Sequence, residues 1–285
     1  MSYKTILVHL KNERRAAALL RPVFDLSERF GAHVTGITAL PPVLVLPTGV
    51  PGFGDTVVID SYRRAYATEA ESLRALFADA AIGRPVVTEW RLEDADHLGS
   101  RGGVAARILP HARCADLIVA GQDDPSWSGS ATHDICERLI LDSGRPVLLI
   151  PHEFDDPGFG KRILVAWNGA RESARAVFDA LPLLQRAEQV CVVSIEHTFG
   201  QDGKRSNVDH DLAASLVAHG VHCSGIERRH SQSDVGSALL AVVKDHGCDL
   251  MVMGCYGHSR FNEFVMGGAT RHVLHHMSVP VLMSH

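Results

Sequence analysis

The chain has 285 residues, 46% hydrophobic and 21% charged, with a formal net charge of −5. That composition can fill two packed cores, and the acidic balance argues against a general nucleic-acid binder, which carries a basic surplus. A small anion stays open, because converging backbone N–H groups bind phosphate without net positive charge.

Met1 to Leu10 runs straight into a strand-like stretch, without the basic start, apolar run and small-residue cleavage site of a signal peptide. The next apolar stretch, Leu40 to Val50, is Pro-rich and too short to span a bilayer. A soluble, cytoplasmic protein with no membrane partner is expected. The six cysteines (Cys114, Cys136, Cys191, Cys223, Cys248 and Cys255) contain no C-x-x-C pair, so they read as buried reduced thiols.

The chain repeats itself. Thr5-Ile-Leu-Val8 returns as Arg162-Ile-Leu-Val165, Cys114 to Gly121 as Cys248 to Gly254, and Gly144 to Ile150 as Ser278 to Met283, in the same order. Ile6 lies 157 positions before Ile163, and Gly121 lies 133 before Gly254, so the front copy holds about 24 extra residues in between. The Pro/Gly-rich stretch Pro41 to Gly54, with the segment after it, is the expected insertion. Two domains are expected, 1–150 and 161–285, joined by a linker at 151–160.

In the back copy the apolar pattern predicts strands at Ile163–Trp167, Val190–Ile195, Cys223–Glu227, Asp249–Met253 and Val279–Met283. Helices are predicted at Arg171–Gln185, with Ala174, Val177, Phe178, Leu181 and Leu184 at helical spacing, and at Val208–Gly220, Val235–His246 and Gly267–His276. Strict alternation implies an α/β fold, two tandem doubly wound parallel-sheet domains, with ligands beyond the carboxyl ends of the strands where strand order reverses.

Those strand ends hold the candidate site. After the fourth strand comes Gly254-Cys-Tyr-Gly257, then nine residues, then Gly267-Gly268-Ala269-Thr270 opening a helix. Gly254 and Gly257 can adopt positive φ and turn N–H groups into one concavity, while Gly267 and Gly268 bring a helix N-terminus within reach of an anion. Thr270 offers a hydroxyl. Ordinary glycine turns beside an N-cap explain the same spacing.

Gly-x2-Gly-x9-Gly, after an Asp-Leu-hydrophobic strand and before a Pro-Val-Leu strand, resembles the ATP-binding signature of the universal stress protein A family. The resemblance covers nearly all of the back copy and the strands of the front one. It implies a tandem universal stress protein on the adenine nucleotide alpha hydrolase-like fold. It also implies ATP with Mg²⁺, and a wall of Ala166, Trp167, Asn168, Ile195 and Met253 beside the glycines. The family pattern has an acid at the end of strand one, where Asn168 stands, and Ser or Thr after the last glycine, where Gly268 stands.

The front copy departs further. Lys11 replaces Asn168, Asp124 replaces Gly257, and His133 and Asp134 fall near the positions of Gly267 and Gly268. Acidic side chains repel a polyphosphate, so the front copy is expected to have lost ATP. Ser126 to Ser130 lacks the G-x-S-x-G of a hydrolase elbow. His272 and His276 have i, i+4 zinc spacing without a third ligand, His258, Ser259 and Arg260 sit in the glycine loop, and Cys255 is the thiol best placed for oxidation. The expected role is a stress-response nucleotide-binding regulator, an intrachain pseudo-dimer that can dimerise further, with no dedicated catalytic residues. A slow ATPase and a nucleotide-free interaction module are the alternatives.

Overall fold

The computed structural model describes residues 2–41, 54–94, 103–123, 135–154, 158–196, 205–231, 234–256 and 268–285. They divide into two compact units, one of Lys4–Ser143 and one from Gly144 to His285 that also takes the chain start up to Tyr3. Among the described residues no helix is long and apolar enough to cross a membrane.

The first unit runs β1 (Thr5–His9), α1 (Glu13–Phe30), β2 (His33–Leu40), α2 (Gly54–Ala81), β3 (Thr88–Asp94), α3 (Gly103–Ala112), β4 (Leu117–Gly121) and α4 (Ile135–Asp142). Its strands lie in the order β3-β2-β1-β4, all parallel. Ile6, Leu7, Val8 and the Leu117–Ala120 run are buried, the continuous apolar signature of strands covered on both faces. Phe24, Phe77 and Trp90 stack in series at 5.7 and 5.6 Å. They leave Gly36 no room for a side chain, since a Cβ there would lie 2.8 Å from both Phe77 and Trp90.

The second unit runs β5 (Val147–Ile150), β6 (Arg162–Ala166), α5 (Arg171–Asp179), α6 (Leu181–Leu184), β7 (Gln189–Glu196), α7 (Arg205–Ala218), β8 (Cys223–His230), α8 (Val235–Asp245), β9 (Leu250–Gly254), α9 (Gly268–His276) and β10 (Val281–Ser284). The order is β5-β10-β9-β6-β7-β8, parallel except that β5 is antiparallel to β10. The chain passes outward from β6 to β7 and β8, then returns to β9 on the other side of β6. That reversal opens a crevice above β6 and β9. Ala166 lies in register with Val193 on one side and Met253 on the other, so three strands end side by side there.

One expectation needs correction. The helix predicted over Arg171–Gln185 breaks at Ala180, where Pro182 enters the first turn of α6; proline lacks the N–H that would continue the ladder. Its buried face is Ser173, Ala176 and Val177, and Phe178 is 46% exposed, edge-on to His219. α5 packs against β9 and β10 with Phe178 outside its buried face. Part of the extra length in the front copy is helical, since α2 has 28 residues and α7 has 14.

Each repeat also ties its first strand down with one carboxylate. Asp116 accepts from the N–H groups of Lys4 and Thr5 at 2.8 and 3.1 Å. Asp249 accepts from those of Gly160, Lys161 and Arg162 at 2.8, 3.1 and 3.2 Å. These are charge-assisted bonds to amides at the start of a strand. Asp249→Ala is expected to lower the stability of the second unit by about 1–3 kcal/mol, measured by urea unfolding of the full chain. An unchanged midpoint would show that water replaces the carboxylate without loss.

Candidate functional site

The crevice is built from strand ends and helix starts. Beyond β6 the Trp167 N–H donates to Val193 O at 2.8 Å, extending the ladder by one residue. The chain then turns sharply. Asn168 Oδ1 accepts from the Ala170 N–H at 3.0 Å, and Gly169 takes φ +74°, where a side chain would be strained. α5 opens at Ala170 without a side-chain cap, so its first N–H groups face the turn unpaired by a capping oxygen. α8 is different, because Asp234 caps it by accepting from the Ser237 N–H at 3.1 Å.

Ala166, Trp167, Asn168, Ser173, Val193, Ile195, Val235, Leu239, Met253, Gly254, Tyr256, Ala269 and Thr270 line one cavity there. Aliphatic side chains of β7 and α8 form one wall, and the first turn of α9 forms another. Tyr256 holds φ +61°, left-handed backbone unusual for an aromatic residue, right after β9. Trp167 is only 8% exposed, and its Nε1 is buried without a hydrogen-bond partner among the described residues. A buried N–H left unpaired is costly enough that native proteins seldom keep one without a reason.

Of the residues expected from sequence, Ala166, Trp167, Asn168, Ile195, Met253, Gly254, Ala269 and Thr270 share this cavity. Gly268 opens α9 exposed and outside the lining, with open space where a Cβ would stand. Gly257, Gly267, His258, Ser259 and Arg260 lie outside the described residues, as do Asp124, Ser126 to Ser130, His133 and Asp134. Ser173, Val193, Val235, Leu239 and Tyr256 are lining residues the sequence reading missed. Val193 is reachable from its register with Ala166, whereas Val235 and Leu239 arrive through the packing of α8 on α9.

Two further readings change, and the histidine pair packs as its missing third ligand suggests. Gly254 does not have positive φ; it is glycine because a Cβ would meet the backbone of Glu172 and Ser173 at 2.3–2.6 Å. Cys255 is fully buried, and burial pushes its thiol far above the usual range, so the reactive thiolate is suppressed. His272 and His276 stack face to face at 4.3 Å, with His272 bonded to Ser237 and facing Asp234, and His276 bonded to the His272 carbonyl.

The first unit has a cavity at the matching strand ends, lined by His9, Lys11, Thr38, Tyr66, Glu69 and neighbouring aliphatic residues. His9 stands where the second repeat has Ala166, so an imidazole occupies that floor. It is 4% exposed, and burial, helped by the Lys11 charge, lowers its pKa to about 3. Lys11 itself pairs with Asp123 at 3.4 Å.

The sequence pattern of the universal stress protein family matches residues 160–285. The second repeat is therefore a universal stress protein domain. Universal stress protein Slr1230 of Synechocystis is 29% identical over 174 residues, which span 59% of this chain and 57% of that relative. A solved universal stress protein from Archaeoglobus fulgidus DSM 4304 superposes with a TM-score of 0.71 at 15% identity, covering 98% of this chain and 97% of its own. A functionally unknown protein from Pseudomonas aeruginosa PAO1 does so at 0.60 and 13% identity, covering 99% and 92%. At such identities the likeness concerns the fold, and it extends over both repeats.

Proposed function

We propose that the second repeat binds an adenine nucleotide, in the form of ATP with Mg²⁺, and that the protein acts as a stress-response regulator and not as a dedicated enzyme. The observation that carries this reading is a cavity at the ends of β6, β7 and β9, walled on one side by aliphatic side chains and on another by the N-terminus of α9. The aliphatic side chains of Val193, Ile195, Val235 and Leu239 suit the faces of a heteroaromatic base. Asn168 already spends its oxygen on Ala170, which leaves its amide N–H₂ to donate to the ligand. The phosphates would lie against the first turn of α9, with Thr270 as a further donor.

The described lining residues include no carboxylate. Mg²⁺ would therefore be held by the phosphates and water. They also include no side chain suited to activate water against a γ-phosphate, so any hydrolysis is slow.

Isothermal titration of the full chain with ATP, ADP and AMP tests the reading. Ala166→His, which carries the imidazole of the front repeat into this floor, is expected to weaken binding at least tenfold, about 1.4 kcal/mol. No heat with wild-type protein favours an interaction module without nucleotide. An unaltered affinity in Ala166→His places the nucleotide elsewhere.

A further inference from the structure

On the second unit, toward the start of β7 and the C-terminus of α8 and away from the strand ends that form the nucleotide cavity, three side chains of different chemistry converge. Cys191 is the third residue of β7, Glu227 lies within β8, and His246 caps the C-terminus of α8. One ligand atom of each lies within 4.8 Å of the others, and all three residues are half-buried. α8 starts at the cavity with Val235 and ends here eleven residues later, about 16 Å along the helix. We propose that Cys191, Glu227 and His246 bind a zinc-class divalent cation, with water in the fourth position.

The donor set is the first argument. A thiolate, an imidazole and a carboxylate together match the borderline softness of Zn²⁺; Mg²⁺ and Ca²⁺ call for oxygen ligands alone. Bond lengths of about 2.0–2.3 Å in a tetrahedron put ligand atoms roughly 3.3–3.8 Å apart. The observed spacing is within reach of that by side-chain rotation alone.

The hydrogen bonding is the second argument. His246 Nε2 lies 3.1 Å from Glu227 Oε2 and 3.0 Å from Arg229 Nη2. It cannot donate to the carboxylate and accept from the guanidinium at once, because one ring nitrogen carries either a proton or a lone pair. A neutral imidazole accepting from Arg229 turns an electron-rich atom toward another on Glu227. Arg229 supplies the balancing charge, with Nε 2.6 Å from Glu227 Oε1 and Nη1 3.0 Å from Asp245 Oδ2. The guanidinium thus stands in for a cation, and Asp245 can retain it when a metal takes its place.

Binding requires the thiolate. Metal binding therefore forms a sulfur–zinc bond, breaks the S–H bond and releases one proton to solvent, so affinity rises with pH.

The test uses the full chain freed of metal by a chelator. Zinc chloride is titrated by calorimetry at pH 6.5 and 8.0, and cobalt(II) is added as a spectroscopic probe. One equivalent is expected, tighter at pH 8.0, with a thiolate-to-cobalt absorption band. Cys191→Ser should abolish the band and weaken zinc at least tenfold, and His246→Gln should weaken it similarly. Arg229→Gln, which removes the resident cation, should tighten it at least tenfold. A purely structural ion-pair network would show no such gain. Circular dichroism confirms that each variant is folded. Absence of zinc binding, or zinc binding insensitive to Cys191→Ser as at the His272–His276 pair, would overturn the proposal.

Discussion

Gly254→Ala is expected to destabilise the second unit by about 2–4 kcal/mol, the range of an overpacked core with backbone on the far side. The methyl carbon would lie 2.3 Å from Glu172 C, 2.4 Å from Ser173 N and 2.6 Å from Glu172 O. All three are main-chain atoms, so no rotamer change relieves the contact, and α5 must lift from the end of β9. By the usual scaling of melting temperature with stability, the lower thermal transition should fall by roughly 6–16 °C. Gly268→Ala is the control. A Cβ there meets nothing within 4 Å, and its midpoint should stay within a degree or two of wild type. Equal midpoints for Gly254→Ala and wild type would mean that α5 can retreat from β9 at no cost. The two glycines thus differ in what fixes them. Gly254 is fixed by the close approach of α5, and Gly268 has open space where a Cβ would stand.

That distinction marks where sequence reasoning reached its limit. The duplicated strands were legible because a parallel strand buried on both faces must be apolar throughout, as Ile163–Val165 and Leu250–Met253 are. The ends of β6, β7 and β9 were legible for the same reason, and so were Ala166, Trp167, Ile195 and Met253. Other lining residues depend on approach between elements distant in the chain. Val235 and Leu239 look like ordinary faces of an amphipathic helix until α8 packs beside α9. Phe178 had helical spacing in its favour, but a helix whose backbone touches Gly254 can bury only small side chains there, here Ser173 and Ala176. Cys255 looked reactive from its place in a glycine loop, and only burial decides otherwise. The cluster of Cys191, Glu227 and His246 has no motif spacing, because its members come from three separate elements.

The front unit should lose stability as pH falls from 6.5, and His9 should account for most of the loss. Its pKa is depressed from 6.5 to about 3 by burial and by the Lys11 charge. The unfolded chain therefore takes up a proton near pH 6.5, whereas the folded unit resists until about pH 3. The stabilisation is complete above pH 6.5 and declines by about 1.4 kcal/mol per unit below it, or about 2 kcal/mol by pH 5. Other charged groups around the same cavity set the usable window. Lys11 pairs with Asp123 at 3.4 Å. Glu69 on α2 has its carboxyl raised by burial and by Glu13, so its protonation favours the folded state and offsets His9 at the acid end. The interval from pH 6.5 to 5 isolates the histidine best. Urea unfolding of the full chain at pH 7, 6 and 5, with and without His9→Ala, measures the effect. The substitution removes a buried ring and shifts the absolute stability, but the readout is the slope against pH, which should flatten. Parallel slopes would mean that His9 titrates normally and that water reaches the imidazole through the cavity. A flattened slope would show that a neutral imidazole holds the place that the second repeat leaves open with Ala166, so that one position in one fold closes the floor of one cavity and clears that of the other.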